Sequence, residues 1–561
     1  MPTELDVTLD TIMDKLTGEG GQLATQMAKR HGQDVPEIAA APPSLPYYFA
    51  HFCDQHGDTP FLVDGDVRLS FAETYAAASA AAQGLVARHG IEKGDRIGIA
   101  ARNSANWIVA YMATVMAGGV ATLLNGFFNG EELTSSIKLA ECRLVLADAG
   151  RAARLEGQDH GAEIVTFRHG VAPAEGLAAI WPEEGQSADL PHVGAEDIAT
   201  ILYTSGSTGD AKGAYSDHRG VVQGVFNYIG QTLMALAYVT SKGEAPTNQP
   251  ATLLNVPLFH VTGEVPVFLQ SFAIGRKLVL MPKWDAGEAL RLIEAEKVTY
   301  FVGVPLMSYE LATHPDREKY DTSTCISFAA GGAPRPVDHV ERIHDAFPQG
   351  FPLLGYGLTE TNAVGCGNFN ENYLAKPGST GKPSRPLVEM AMLDDAGNQL
   401  PQGEVGEVSI RSVCNFLGYW KNEEATKAAI TEDGWFRTGD LGYLDEDGYL
   451  FIVDRKKDII IRGGENISCI EVEEAIYAHE DVAECSVFGL DDERFGEVPA
   501  AVYVLREGST LSEGELRDFL AGKLAPFKIP QTLWHSQSGL PRLGTAKVDK
   551  RAVKAIYAQR A

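Results

Sequence analysis

The chain has 561 residues, 45% of them apolar and 22% charged, enough for about two to four packed structural units and unlike a disordered protein. Its formal net charge of −28 repels nucleic acid and anionic membrane surfaces and so excludes both as principal partners. The seven cysteines are scattered without a C-x-x-C pair, which excludes a disulfide framework or structural zinc site and fits a reducing, cytoplasmic setting.

The first 45 or so residues start acidic, without a basic-then-apolar signal pattern, and end in "IAAAPPSLP". They read as an ill-packed leader closing in a proline turn. Next, "RLSFAETYAAASAAAQGLVARHG" predicts a helix with Ser70 as N-cap. "DRIGIAA", "CRLVLAD", "ATLLNVP", "RKLVLMP" and "VTYFVGVP" predict short buried strands, with helical stretches such as "GEALRLIEAEK" between them. The uncharged run from Trp107, broken by Gly118-Gly119, reads as a buried helix leading into a buried strand and not as a membrane span. This alternation predicts parallel sheets covered by helices. From Glu389, "EMAMLDDAGNQLPQGEVGEVSIRS" predicts a small antiparallel unit, and the last hundred residues form their own α+β unit.

Four stretches carry chemistry. "ILYTSGSTGDAKGAY" follows a strand with Thr204, Ser205, Ser207 and Thr208 interleaved with Gly206 and Gly209, then Lys212. Small residues free the backbone N–H groups, hydroxyls donate, and the lysine adds charge, as a polyphosphate loop requires. It is not G-x-x-x-x-G-K-[ST], because Ala211 precedes the lysine and Gly213 follows it, so P-loop kinases and ATPases lose ground. "LLGYGLTET" sets Tyr356 between Gly355 and Gly357, beside Thr359 and Glu360. An aromatic flanked by glycines can lie on a base, and a carboxylate near the phosphates can hold a metal. "GWFRTGDLGYLDEDGYLFIVDRKKDIIIRGGENIS" presents Asp440, Arg455 and a Gly-Gly turn, and "LPRLGTAKVDKR" places Lys547 in a loop. Taken singly, Tyr356 also suits ordinary core, "DEDGYL" a hairpin and Lys547 a solvated tail.

In this order and spacing the stretches resemble the adenylate-forming superfamily, which includes acyl-CoA synthetases, 4-coumarate–CoA ligases, peptide-synthetase adenylation domains and firefly luciferase; the resemblance runs from about Leu45 onward. "GENIS…EVEEAI" points to the CoA-ligase branch. The resemblance implies an α/β fold in which a large N-terminal domain (1–456) combines βα-layered sheets with the small antiparallel β unit, followed by a small mobile α+β lid (457–561). It implies ATP and CoA as co-substrates with Mg²⁺, a small carboxylic acid as substrate, and a homodimer as the assembly to test.

Residue by residue, it implies that Thr204 to Lys212 hold the β- and γ-phosphates, with Thr208 a further Mg²⁺ contact. Gly332, Ala333 and Pro334, with Tyr356 and Gly357, would line the adenine site. Thr359 would meet the α-phosphate, Glu360 the Mg²⁺, and Asp440 the ribose hydroxyls with Arg455 assisting. Lys547 would bridge the substrate carboxylate and α-phosphate, and Lys457 would be the hinge of a rotating lid. The lid's other face would bring Gly463-Gly464 to the pantetheine arm, with Lys283 at the CoA nucleotide and His260 near the substrate carboxylate. The sequence departs from the family's usual pattern at Ala211, at Ala546 and in "AYSDHRG"; none of these removes a charged catalytic group.

The acyl pocket implied lies among Thr262, Val265, Pro266, Gly331, Gly355 and Val364. No lysine or arginine among them pairs a second carboxylate, which disfavours a dicarboxylate. A medium- or long-chain fatty acid is the first expectation and an aryl acid such as a cinnamate the second. A ligase loading a separate carrier protein, and a non-catalytic adenylate-binding protein, are the alternatives.

Overall fold

The computed structural model describes residues 3–204, 212–331, 335, 337–543 and 547–560. The βα alternation resolves into two large, mostly parallel sheets, with counts given for the described residues. In the seven-stranded sheet, Glu163–Phe167, Leu144–Asp148, Arg96–Ala100, Val120–Leu123 and Ile198–Thr204 run parallel. Lys212–Asp217 and then Gly418–Tyr419 close this edge antiparallel. The nine-stranded sheet centres on Ala251–Leu254, Lys277–Leu280, Tyr300–Gly303, Ser327–Gly331 and Phe351–Gly357, all parallel. The chain from Glu389 forms a four-stranded antiparallel sheet ending at Arg455, and a C-terminal domain is built on a five-stranded sheet from Ile460 onward.

Local signals set the elements between. Ser70 caps Phe71–His89 in a reciprocal capping box with Glu73, and Gly90 ends that helix in the left-handed region with φ 59°. The helix Ala105–Met116 is buried along its whole length, so its apolar run serves the core. Trp107, Tyr111, Phe268 and Phe272 belong to one core cluster that both large sheets share. No described helix is long and apolar enough to cross a membrane. The C-terminal domain touches the rest through Ser468 Oγ, which donates to the Val453 carbonyl at 2.8 Å, and through the Arg506 guanidinium, 5.1 Å from the Tyr309 ring centroid.

The first 45 residues correct the expectation of an ill-packed leader. They form a helix, Glu4–Thr17, and a hairpin, Thr25–Arg30 with Gln33–Ile38, and they bury Leu5, Met13, Leu23, Val35 and Ile38. The buried Asp6 carboxylate accepts from Tyr449 at 2.8 Å and Asn372 at 3.2 Å and pairs with Lys382 at 3.0 Å. At the hairpin tip Arg30 reaches Asp217 at 2.8 Å, with the two side chains only 5% and 7% exposed. The same Asp217 oxygen caps the helix His218–Ser241 through the Gly220 N–H. This order comes from partners far along the chain, which a local pattern does not contain.

Removing one member of a buried ion pair leaves the other uncompensated, at a cost of about 3–5 kcal/mol. Arg30→Ala should destabilise the protein by about that much, and Arg30→Ala with Asp217→Asn by clearly less than the single change. Denaturant unfolding of wild type, singles and double checks this; equal losses in Arg30→Ala and the double would refute it.

Candidate active site

Thr204 and Lys212 are register partners on adjacent antiparallel strands. Residues 205–211, and with them the expectations for Ser205, Gly206, Ser207, Thr208 and Gly209, lie outside the described residues, as do Gly332, Ala333 and Pro334. Lys212 starts a strand, next to the edge of the sheet, whose Ala214 pairs with Tyr419. The Lys212 ammonium sits 4.9 Å from the centre of the Tyr419 ring, and the Tyr419 hydroxyl donates to Glu360 Oε1 at 2.8 Å.

Glu360 lies in the turn Thr359–Thr361, only 8% exposed, and burial raises its pKa while the Tyr419 hydrogen bond opposes the rise. Its carbonyl accepts from the Phe416 N–H at 2.8 Å. The chain then passes through Asn362 and Ala363, both left-handed at φ 49° and 65°. Side-chain bonds hold this strain: Asn362 donates to the Cys414 carbonyl at 2.8 Å, and Tyr228 donates to the Ala363 carbonyl at 2.5 Å. A Cβ on Gly357 would come within 2.0 Å of that Ala363 carbonyl, which is why a glycine follows Tyr356. A desolvated carboxylate held by a neutral donor, with one oxygen left unclaimed by that donor, fits a divalent cation arriving with phosphates. No group of three or more His, Cys, Asp and Glu among the described residues forms a protein cage for such an ion.

Asp440 and Arg455 face each other across adjacent antiparallel strands. Asp440 is 3% exposed; Arg455 Nε meets its Oδ1 at 2.8 Å and the Tyr356 hydroxyl donates to its Oδ2 at 2.7 Å. Burial raises the Asp440 pKa and Arg455 acts against it. The charges of both are felt at Lys547: burial first, then repulsion from Arg455, push its pKa down to about 8, with Asp440 opposing. Lys547 is felt in turn at His260, where burial and then the Lys547 charge hold the pKa at about 3. The His260 Nδ1 accepts from the Thr262 N–H at 3.2 Å, so the neutral ring carries its proton on Nε2 and is a donor.

Gly331 and Gly355 are register partners on adjacent strands. A Cβ on Gly355 would meet nothing within 4 Å, and one on Gly331 only the Gly355 carbonyl at 3.7 Å. They make a flat wall without side chains. Thr262 and Pro266 are half-buried, whereas Val265 and Val364 are fully buried.

The structure therefore brings together Lys212, Glu360, Tyr356, Asp440, Arg455, Lys547 and His260 through the contacts and fields above. It does not bring Lys283, Gly463 or Gly464 to them; all three are exposed, and the two glycines form a hairpin turn with φ 60° and 91°, while the exposed Lys457, two residues after Arg455, feels the charges of Arg455 and Asp440. Tyr419 is the functional candidate that the sequence reading missed. It sits in "FLGYW", and only strand pairing with Ala214 reveals its neighbours.

Asp440's charge is what holds Lys547 as high as it is. Asp440→Asn should lower the Lys547 pKa below about 8, read by NMR titration of labelled lysine side chains in the ligand-free protein. An unchanged Lys547 titration would sink the coupling.

Residues 49–420 match the AMP-binding enzyme family, and residues 471–547 match the AMP-binding enzyme C-terminal domain. A feruloyl-CoA synthase of Amycolatopsis sp is 33% identical over 494 residues, covering 87% of this chain and 94% of that protein. A long-chain-fatty-acid–CoA ligase of Bacillus subtilis is 31% identical over 504 residues, covering 82% and 86%. ATP-bound MatB from Rhodopseudomonas palustris superposes with a TM-score of 0.80 at 30% identity, covering 92% of this chain and 99% of that one.

Proposed function

This chain belongs to the AMP-binding enzyme family of adenylate-forming enzymes and is an AMP-forming acid–CoA ligase, and we propose how its residues divide that work. The first half-reaction joins a carboxylate to the α-phosphate of ATP and expels pyrophosphate; the second replaces AMP by the thiol of CoA. What supports the reading is the Asp440–Arg455–Tyr356 cluster, whose charges are felt at Lys547, as the Lys547 charge is felt at His260.

A carboxylate approaching a phosphate brings like charges together, and charge builds on the equatorial oxygens. A cation held at that point stabilises the transition state more than the ground state. In this reading Lys547 is that cation, His260 donates its Nε2–H toward the acid, and Thr359 meets the α-phosphate. Asp440 accepts the ribose hydroxyls while Arg455 and Tyr356 fix its plane, and Tyr356 and Gly357 border the base. Thr204 and Lys212 anchor the two ends of the loop that takes the outer phosphates. Glu360 would hold Mg²⁺, which neutralises phosphate charge when bound. Residues 1–456 form the body and 457–561 a lid that pivots at Lys457. Its other face brings Gly463-Gly464 to the pantetheine arm and Lys283 serves the CoA nucleotide. Small residues with φ of 60° and 91° suit a turn that must pass a chain closely.

The acid we propose first is a medium- or long-chain fatty acid: the Gly331–Gly355 wall is open, and no lysine or arginine stands among Thr262, Val265 and Pro266 to pair a second carboxylate. The flatness of that wall also favours a planar aryl acid as the second reading. CoA-dependent pyrophosphate release over a panel from butyrate to palmitate, with coumarate and benzoate, decides between them. Highest kcat/KM for C8 to C16 acids is expected; a peak on coumarate selects the second reading. Release that stalls after one turnover with CoA present would mean a different acyl acceptor.

Lys547→Ala should slow acyl-AMP formation by about a hundred- to a thousand-fold while leaving thioester formation from added acyl-AMP nearly intact. Gly464→Leu should do the reverse. Lys547 carries its charge below about pH 8 and loses it as pH rises through that value, so kcat/KM for ATP should fall on an alkaline limb near 8. Separate assays of the two half-reactions check all three; equal loss of both steps in Lys547→Ala would refute its role.

A further inference from the structure

Tyr419 stands between a cation and a carboxylate that are both assigned to the nucleotide. Its ring carries the Lys212 ammonium at 4.9 Å, its hydroxyl donates to Glu360 at 2.8 Å, and no ion pair joins Lys212 to Glu360 among the described residues. The residue is held from several sides. Phe416 packs edge-on against the ring at 5.0 Å, the Tyr419 backbone N–H donates to Thr426 Oγ1 at 2.9 Å, and the Trp420 backbone N–H donates to the Gly213 carbonyl at 2.7 Å. Burial and the adjacent Glu360 push the phenol pKa up, so the hydroxyl remains a donor.

A flexible lysine beside a half-desolvated carboxylate collapses into a direct pair unless something occupies the space between them, because the attraction grows as water is removed. Such a pair would consume both groups: the cation would be neutralised before the phosphates arrive, and the carboxylate would lose its affinity for a metal. A tyrosine gives each group a weaker partner. Its face attracts the ammonium without an anionic acceptor, and its hydroxyl orients the carboxylate through one oxygen.

We propose that Tyr419 is a positioning residue of the nucleotide site, a spacer that keeps Lys212 and Glu360 from pairing with each other so that the first remains available to phosphate and the second to the metal. The proposal rests on the function assigned above. Its prediction is specific in sign. Tyr419→Phe keeps the ring and drops the hydroxyl, so ATP binding without metal stays within about twofold of wild type. The extra affinity gained on adding Mg²⁺ falls about tenfold, in the range found for lost partners of metal ligands. Tyr419→Leu drops both contacts and lets Lys212 collapse onto Glu360, so metal-free ATP binding also weakens about tenfold. Adding Glu360→Gln to Tyr419→Leu removes the collapse partner and restores the metal-free affinity.

Equilibrium ATP titrations by calorimetry, in EDTA and in Mg²⁺, read all of this without turnover, with circular dichroism confirming that each variant is folded. Tyr419→Phe binding MgATP as wild type does, or a double variant binding metal-free ATP no better than Tyr419→Leu, would overturn the spacer. Wild type failing to bind ATP at all would overturn the assigned function, and the spacer with it.

Discussion

A carboxylate almost wholly removed from water must be given partners, and Asp440 is the one around which this site is arranged. Burial alone would drive it toward the neutral acid. Arg455 opposes that from the next strand, with Tyr356 donating from near the end of the strand Phe351–Gly357 in the nine-stranded sheet. Because Arg455 is the last residue of the small sheet before the C-terminal domain, the pair also fixes where that domain departs from the body. Lys547 then meets a field in which one carboxylate attracts it while burial and a guanidinium disfavour its charge. The balance leaves it poised near neutrality, where it holds its proton but gains most when anions arrive.

The same economy of charge recurs at the phosphate end. A molecule with a formal charge of −28 has to receive polyanions, and it does so with a few cations set among buried or neutral groups. Lys212 lies on an aromatic face, His260 is kept uncharged, and Lys547 is desolvated. Among the described residues neither Lys212 nor Lys547 has a carboxylate in direct contact, and His260 carries no charge to neutralise. A few oriented cations in a low-dielectric cleft act more strongly than many solvated ones, so the overall acidity and the local chemistry do not conflict.

Much of the architecture was legible because local chemistry and tertiary demand agree. Ser70 with Glu73 caps a helix, the run from Trp107 is buried as a helix and a strand, and short β-rich runs became the parallel strands. What escaped the reading shares one cause. The N-terminal helix and hairpin show no strong period, since their order depends on Asn372, Lys382, Tyr449 and Asp217. Tyr419 looks like one aromatic among several until strand pairing sets it beside Lys212. Charged residues in short motifs were readable at a distance; groups whose meaning comes from a neighbour across a sheet were not.

The helix that begins at Glu4 illustrates a temporal cost of such long-range order. Asp6 meets Tyr449 across a sequence separation of 443 residues, which a ribosome working at about 5–20 residues per second takes roughly 20 to 90 seconds to cover. Met13 gains its neighbour Gly230 earlier, but until Asn372, Lys382 and Tyr449 are made the Asp6 carboxylate has none of these partners. A segment made hundreds of residues before its partners thus settles late, with a buried carboxylate that only the later chain can satisfy.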